Sequence, residues 1–333
     1  MADRCSLMII TLAAVGVLAL ATAAPAPAPL LTAAGVIPLG VPKGEISDLA
    51  IDYADRRLFV LERDAGGVAV VELPSGVVTQ TLSRLPSPRG LAHEAPNNQL
   101  YVALGDGRLA VFQGAPLRRT DTIAIGPDLG PPSYDASTTQ LYFAYNKRKI
   151  GIIETSHNRR LRDIDLQGNP GPLAFEEGGS RLFIGAVNDK RILVADRVDT
   201  KQVASWVTGD NGAAAALALD EDAGLLLVAL RQPAGLAWFD LVDRRLRGRV
   251  DACAEPGKLI VDSRRRRVYL TCGEGRLEVF QRNPGGGYAK ADAIVTEPGT
   301  TAALLMPASG RLYLAVPATV GRGQEIRIYV PGD

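Results

Sequence analysis

The residues able to do acid–base or metal chemistry are few. The chain has 333 residues but only two histidines. His93 sits inside an apolar stretch, and His157 lies in the polar turn Thr155-Ser156-His157-Asn158. Ser156 beside His157 makes no catalytic triad, because neighbours on one turn do not present nucleophile and base in line. Haem, copper and multi-histidine zinc sites need more imidazoles than this. HExxH, GxSxG and phosphate-loop patterns are absent from the sequence. Carboxylates such as Asp64, Asp106 and Asp189 are calcium-type donors, but no spacing among them demands an ion. Of three cysteines, Cys253 and Cys272 flank one repeat unit and Cys5 stands near the start. An antiparallel hairpin would place Cys253 and Cys272 at the same end, as a disulfide in an oxidising compartment or as two buried thiols.

Acids recur with a pattern. Asp52, Glu94, Asp135, Glu176, Asp220 and Asp262 each stand six residues before an apolar residue that opens a second apolar run. Those openers are Leu58, Leu100, Leu141, Leu182, Leu226, Val268 and Leu312, at steps of 42, 41, 41, 44, 42 and 44. The seventh copy has Met306 in place of the acid. An aromatic follows the opener in six of seven copies, with Leu227 the exception. Six equivalent acids cannot be one catalytic pair. They read as turn caps, accepting hydrogen bonds from backbone amides at the end of a first strand.

The unit is a short hairpin followed by two more strands. A period just above forty residues fits a four-stranded propeller blade. The expected outer strands, such as Arg160–Leu166, alternate polar and apolar residues, as suits a strand with one wet face. Gly105-Asp106-Gly107 and Gly273-Glu274-Gly275 mark tight links between second and third strands. Pro/Gly clusters mark the crossings between blades. The seventh copy ends after its third strand, and Gly35–Gly40 at the other end is a spare apolar strand. The sequence therefore predicts an all-β, seven-bladed propeller over residues 35–333, closed by the N-terminal strand completing the last blade.

Residues 1–23 have the layout of a signal peptide: Arg4, an apolar run over Leu7–Ala21, and a small-residue site before Pro25. An uncleaved anchor is the alternative for this run. The Ala/Pro-rich residues 24–34 form an extended leader. Periplasmic or secreted placement follows. Formal charge is +1 with acids and bases interspersed, which speaks against a nucleic-acid surface. Arg264–Arg267 is the longest basic run. It is read as a solvated turn, with contact to an anionic headgroup or polymer as the alternative.

The stretches Ser87-Pro88-Arg89-Gly90-Leu91-Ala92 and Leu100-Tyr101-Val102-Ala103, with Asn169–Ala186 and Glu255–Thr271, resemble the YVTN-type β-propeller repeat. That WD40-like repeat occurs in YncE-like exported bacterial proteins and surface-layer proteins. The resemblance implies a seven-bladed exported propeller. Its motif is a strand–turn signature and implies no catalytic residues. Only Tyr142–Asn146 approaches the aromatic-to-Asn ending of that motif.

The face carrying the blade-to-blade links is the expected working face. Arg89, Lys147, Asp189, Arg231, Lys258 and Glu274 are the candidate ligand contacts there, with the guanidinium and ammonium groups suited to anions. Each of them alone is also what ordinary loop solvation produces. The expected function is a non-catalytic, monomeric binding or interaction protein for a polar or anionic ligand or a protein, without cofactor or metal. The alternative is a periplasmic propeller enzyme, a lactonase-like hydrolase or a dehydrogenase subunit. A metal-dependent hydrolase would require Glu45, Asp106, Asn188 and Asp210 to converge on one ion.

Overall fold

A computed structural model of the protein describes residues 29–41, 43–54, 56–73, 75–187, 189–208 and 212–332. The signal-peptide expectation for residues 1–23, and the leader up to residue 28, lie outside the described residues. So do Asn188, Asp210 and Asn211.

Seven antiparallel sheets form the ring; six are built in chain order from inner to outer strand, and the seventh takes its outer strand from the N-terminal segment. Blade 1 runs Ile46–Asp52, Arg57–Glu62, Gly67–Glu72 and Val77–Leu82. The inner strands of blades 2 to 7 are Pro88–Glu94, Pro132–Asp135, Pro170–Phe175, Ala214–Asp220, Pro256–Asp262 and Ala303–Met306. Second strands are the most buried. Arg57–Glu62, Gln99–Leu104, Leu225–Leu230 and Arg267–Cys272 are buried along their whole length. The reason is that both faces of a blade pack on neighbours, so such strands read as continuous apolar runs. Outer strands such as Val77–Leu82 alternate between half-buried and exposed.

The core lies between blades. Seven hydrophobic clusters are present among the described residues, one for each seam. In blade 1, Phe59 and Leu61 pack toward blade 2, while Leu58 and Val60 pack toward blade 7. The recurring aromatic has the same job in each copy: Phe59, Tyr101, Tyr142, Phe183, Tyr269 and Tyr313 all plug the seam to the following blade. Truncating one of these to Ala costs about 3–5 kcal/mol for a fully buried ring. The exception, Leu227, faces a seam that already holds Trp238 and Tyr288, whose rings meet edge-on at 5.7 Å.

All six recurring acids cap their turns. Asp52 accepts from the Ala54 amide at 3.0 Å, Glu94 from Asn97 at 3.0 Å and Asp135 from Ser137 at 3.1 Å. Glu176, Asp220 and Asp262 accept from Arg181, Ala223 and Arg265, each at 3.2 Å. Arginines add a second layer by crossing seams. Arg57 pairs with Asp52 at 2.7 Å and donates to the Gly114 carbonyl of blade 2. Arg197 of blade 4 reaches Asp135 of blade 3. Arg181 of blade 4 donates to the Leu241 carbonyl of blade 5 at 2.7 Å. Arg282 of blade 6 pairs with Asp220 of blade 5 at 2.8 Å.

The closing strand is Leu31–Pro38, antiparallel to Glu325–Pro331 of blade 7, with a bulge between Ala33 and Gly35. It begins four residues before the expected Gly35, so 31–34 belong to the ring. Arg265 and Arg267 explain part of the basic run. Arg265 Nε donates to the Gly332 carbonyl at 3.0 Å, and Arg267 Nη1 donates to the same carbonyl and to that of Leu30 at 3.5 Å. These two side chains clamp the segments at both ends of the ring, and the expectation of a merely solvated turn is corrected for them. The outer strand of blade 3 is also broken. Only Arg159–Arg160 and Ile164–Asp165 pair with the third strand. Between them Asp163 accepts from Tyr145 Oη and Arg160, and Arg160 also donates to the Ile125 carbonyl of blade 2. That cluster turns the chain away from a continuous ladder.

Candidate functional site

Inner strands begin, and second strands end, at the same face, and five of the seven inner strands carry a register shift there. The shifts fall at Ile46/Asp48, Pro88/Gly90, Pro170/Leu173, Ala214/Ala216 and Pro256/Leu259. A bulge leaves its extra residue unpaired and re-aims the side chain. The bulged residues Ser47, Arg89, Ala215 and Lys258 all line one cavity over the ring axis, of 790 Å³. Lys258 keeps its backbone anchored, its amide donating to Thr271 Oγ1 at 2.7 Å and to the Thr301 carbonyl at 3.1 Å. Arg63 and Arg231 reach the same cavity from the links that follow the second strands of blades 1 and 5.

The cavity wall is made of small and apolar residues such as Ala50, Ala92, Ala302 and Leu91. Its charged lining is Arg63, Arg89, Arg231 and Lys258 against Glu45 and Asp48. Among the described residues none of these four cations has an ion-pair partner. The Asp48 carboxylate is tied down, accepting from the Leu91 amide at 3.1 Å and the Leu49 amide at 3.0 Å. Burial pushes its pKa up, against the pull of Lys258 and of those two amides. Two hydroxyls on the lining, Ser47 Oγ and Tyr134 Oη, have no hydrogen-bond partner among the described residues. Unpaired polar atoms at a cavity wall are where a polar ligand gains most.

The six candidate contacts fall into two groups. Arg89, Arg231 and Lys258 line the cavity. Lys147, Asp189 and Glu274 are exposed in links outside its lining. Lys147 has a positive φ of 60°, and Glu274 caps the Ala254 amide at 2.9 Å while facing Arg276 at 3.8 Å. Sequence reasoning selected neither Arg63 nor Asp48. A bulge is the missing signal: Ser47 and Asp48 point inward because of the register shift between Ile46 and Asp48. The flanking Pro-Arg-Gly and Pro-Gly-Lys sequences were its visible trace.

Other chemical groups are occupied. Asp106 is engaged by the guanidinium of Arg108, which holds its carboxyl below the usual range. Glu45 is the one described member of the four proposed hydrolase ligands that lines the cavity. Cys253 and Cys272 form a disulfide, as one of the two sequence readings has it. Their sulfurs lie with Glu278 in the one grouping of metal-ligand type among the described residues, but both sulfurs are consumed in that bond. Glu278 is held by Lys290 at 2.8 Å, Arg276 at 3.1 Å and the Cys253 amide. His93 bonds Asn98 at 3.0 Å and stands against Phe59. His157 Nδ1 meets both Ser156 Oγ at 2.8 Å and Glu154 at 3.3 Å. A triad needs nucleophile and acid on opposite ring nitrogens, so this trio has the residues but not the geometry.

The opposite end of the axis has the other sign. A 470 Å³ cavity there is lined by Glu177, Glu221 and Asp222 with Phe175 and Leu219. One of these carboxylates is structural, since Glu221 accepts from the Glu177 and Gly178 amides.

No family model and no curated protein matches the sequence. Solved structures do match it in fold. A chain in "Crystal Structure of Mitotic Checkpoint Complex" superposes with a TM-score of 0.75 at 18% identity, covering 96% of this chain and 100% of that one. Hydrazine synthase of Kuenenia stuttgartiensis gives 0.72 at 14% identity, over 84% and 94%. At these identities the likeness is one of fold, a β-propeller. No helix among the described residues is long and apolar enough to cross a membrane.

Proposed function

We propose that this protein is an exported, non-catalytic β-propeller that binds a small polar anion at the mouth of its central channel. One observation carries the reading. Four cations from blades 1, 2, 5 and 6 project into one cavity without ion-pair partners among the described residues, two of them aimed by bulges. Unpaired guanidinium and ammonium groups held over small apolar walls form charge-assisted bonds stronger than neutral ones. The cavity volume is in the range of small-molecule sites. Export is supported by the apolar run over Leu7–Ala21 and by a disulfide, which persists in oxidising compartments. The loose YVTN-type repeat fits the same placement.

Isothermal titration of the intact protein with phosphate, sulfate and small carboxylates tests the reading. At least one anion binds, and Arg89→Ala, Arg231→Ala and Lys258→Ala each weaken it about tenfold, the scale of one lost charged hydrogen bond. Absence of any anion binding, or binding indifferent to all three substitutions, refutes it. Turnover of a lactone under the same conditions would favour the hydrolase alternative.

A further inference from the structure

We infer that the seam between blades 7 and 1 holds a second binding site, which takes a small carboxylate with an apolar body. It is independent of the site at the channel mouth. A break in the repeat carries the inference. In blades 1, 4 and 6 the second strand opens with an arginine, and an acid closes the inner strand: Arg57 with Asp52, Arg181 with Glu176 and Arg267 with Asp262. The register sets Arg57 opposite Asp52 and Arg267 opposite Asp262. Blade 7 keeps the arginine and drops the acid, so that Arg311 stands opposite Met306. Its copies show what Arg311 lacks. Asp52 holds Arg57 at 2.7 Å, and Glu176 holds Arg181. Each of those guanidiniums also lies over the ring two residues on, Phe59 or Phe183, and donates to a carbonyl of the next blade, Gly114 or Leu241. Among the described residues the Arg311 guanidinium has no ion pair and no hydrogen bond.

In place of those contacts stands a cavity of 760 Å³, at the hairpin end of the seam and away from the channel mouth. Arg311 and Met306 line it from blade 7, and Ile51, Tyr53 and Leu73 from blade 1. The Tyr53 side is open, that residue being 50% exposed. Acids beside the cavity are committed elsewhere. Asp52 is held by Arg57 and caps the Ala54 amide, and Glu72, next to Leu73, accepts from Ser75 Oγ at 2.6 Å. Arg56 on the blade 1 wall adds a second guanidinium without an ion-pair partner among the described residues. An external carboxylate supplies what the repeat omits. It meets the Arg311 fork with two parallel hydrogen bonds, while its apolar body covers Met306, Leu73 and Tyr53. A compact inorganic anion gains only the first of these contacts.

The test is calorimetric titration of the intact protein with phenylacetate, its neutral amide phenylacetamide, and acetate. Phenylacetate is expected to bind at least about tenfold tighter than either, one comparison removing the charged contact and the other the apolar one. Binding falls to the amide level in Arg311→Met, and in Met306→Glu, which restores the acid of the other blades. It persists in Met306→Leu, a swap that conserves volume, and in Arg89→Ala, which disables the channel mouth. Arg311 is exposed, and near-ultraviolet circular dichroism checks that each variant is folded. Phenylacetamide or acetate binding as tightly as phenylacetate, or phenylacetate binding unchanged by Arg311→Met or by Met306→Glu, overturns the seam site. Loss in Arg89→Ala with Arg311→Met unaffected also overturns it, and leaves the channel-mouth reading standing. No binding of phenylacetate overturns the seam site alone, since phosphate and sulfate probe the mouth separately.

Discussion

Replacing Arg197 by Met tests whether the ring is held by charge as well as by apolar seams. The Arg197 side chain is 1% exposed and that of its partner Asp135 is 5% exposed. The guanidinium belongs to blade 4 and the carboxylate to blade 3. Arg197 also donates to Ser137 Oγ at 3.1 Å, to the Ser180 carbonyl at 3.3 Å, and to the carbonyls of Glu176 and Gly179. Methionine fills much of the same space but leaves Asp135 with only the hydroxyls of Ser137 and Thr138 and one amide. Stranding one member of a buried pair costs about 3–5 kcal/mol. The freed carbonyls lie at turns, where water replaces the lost donors, so a loss of about 4 kcal/mol at neutral pH is expected in urea denaturation. Burial alone pushes Asp135 up, but the bonds from Thr138, Ser137 and Arg197 outweigh it and hold the group below its usual 3.8. A depressed carboxylate contributes stability above 3.8 that is lost as pH falls through its lower folded value. The variant should lose that acid-side slope, and Asp135→Asn in the same background should recover most of the stability. A cost under about 1 kcal/mol, the level of an exposed pair, or no recovery in the double variant, would refute the reasoning.

Asp48 predicts the opposite pH dependence. Its folded pKa is raised, so its contribution is complete below 3.8 and is lost as pH rises through the folded value. Asp48→Asn should flatten the decline of melting temperature over that window, and an unchanged slope would count against it. Reducing the Cys253–Cys272 bond, which spans 19 residues, should lower stability by about 3 kcal/mol in chemical denaturation with and without dithiothreitol. Arg265→Ala with Arg267→Ala should free the carbonyls of Leu30 and Gly332. Hydrogen exchange should then quicken first at amides pairing Leu31–Pro38 with Glu325–Pro331, with other blades unchanged.

Much of the architecture was legible because it is written in local burial. Phe59, Tyr101, Tyr142, Phe183, Tyr269 and Tyr313 recur since each meets the same seam, and the six acids recur since each caps the same turn. Seams that depend on distant partners left no such trace. Arg197 meets Asp135 across 62 positions and Arg282 meets Asp220 across 62, so neither pairing has a spacing to read. The broken outer strand of blade 3 kept the alternation of a regular one, because Asp163 is polar whether it faces water or Arg160. The site was half visible. Basic residues at the blade crossings were countable, but which of them turn inward depends on bulges. Arg89 and Lys258 are aimed by a one-residue change of register that composition does not encode.

The join between Leu31–Pro38 and Glu325–Pro331 sets an order of events during synthesis. The earlier of these strands leaves the ribosome before any blade exists, and its mate emerges only after six blades have been translated. Hairpins inside each blade form from nearby residues and are fast, whereas this pairing is the most distant in sequence and the slowest to find. A truncated or stalled chain therefore displays the bare edge of its final sheet, open to pairing with another molecule. Completion of the channel, and of the cation arrangement around it, waits on that last encounter.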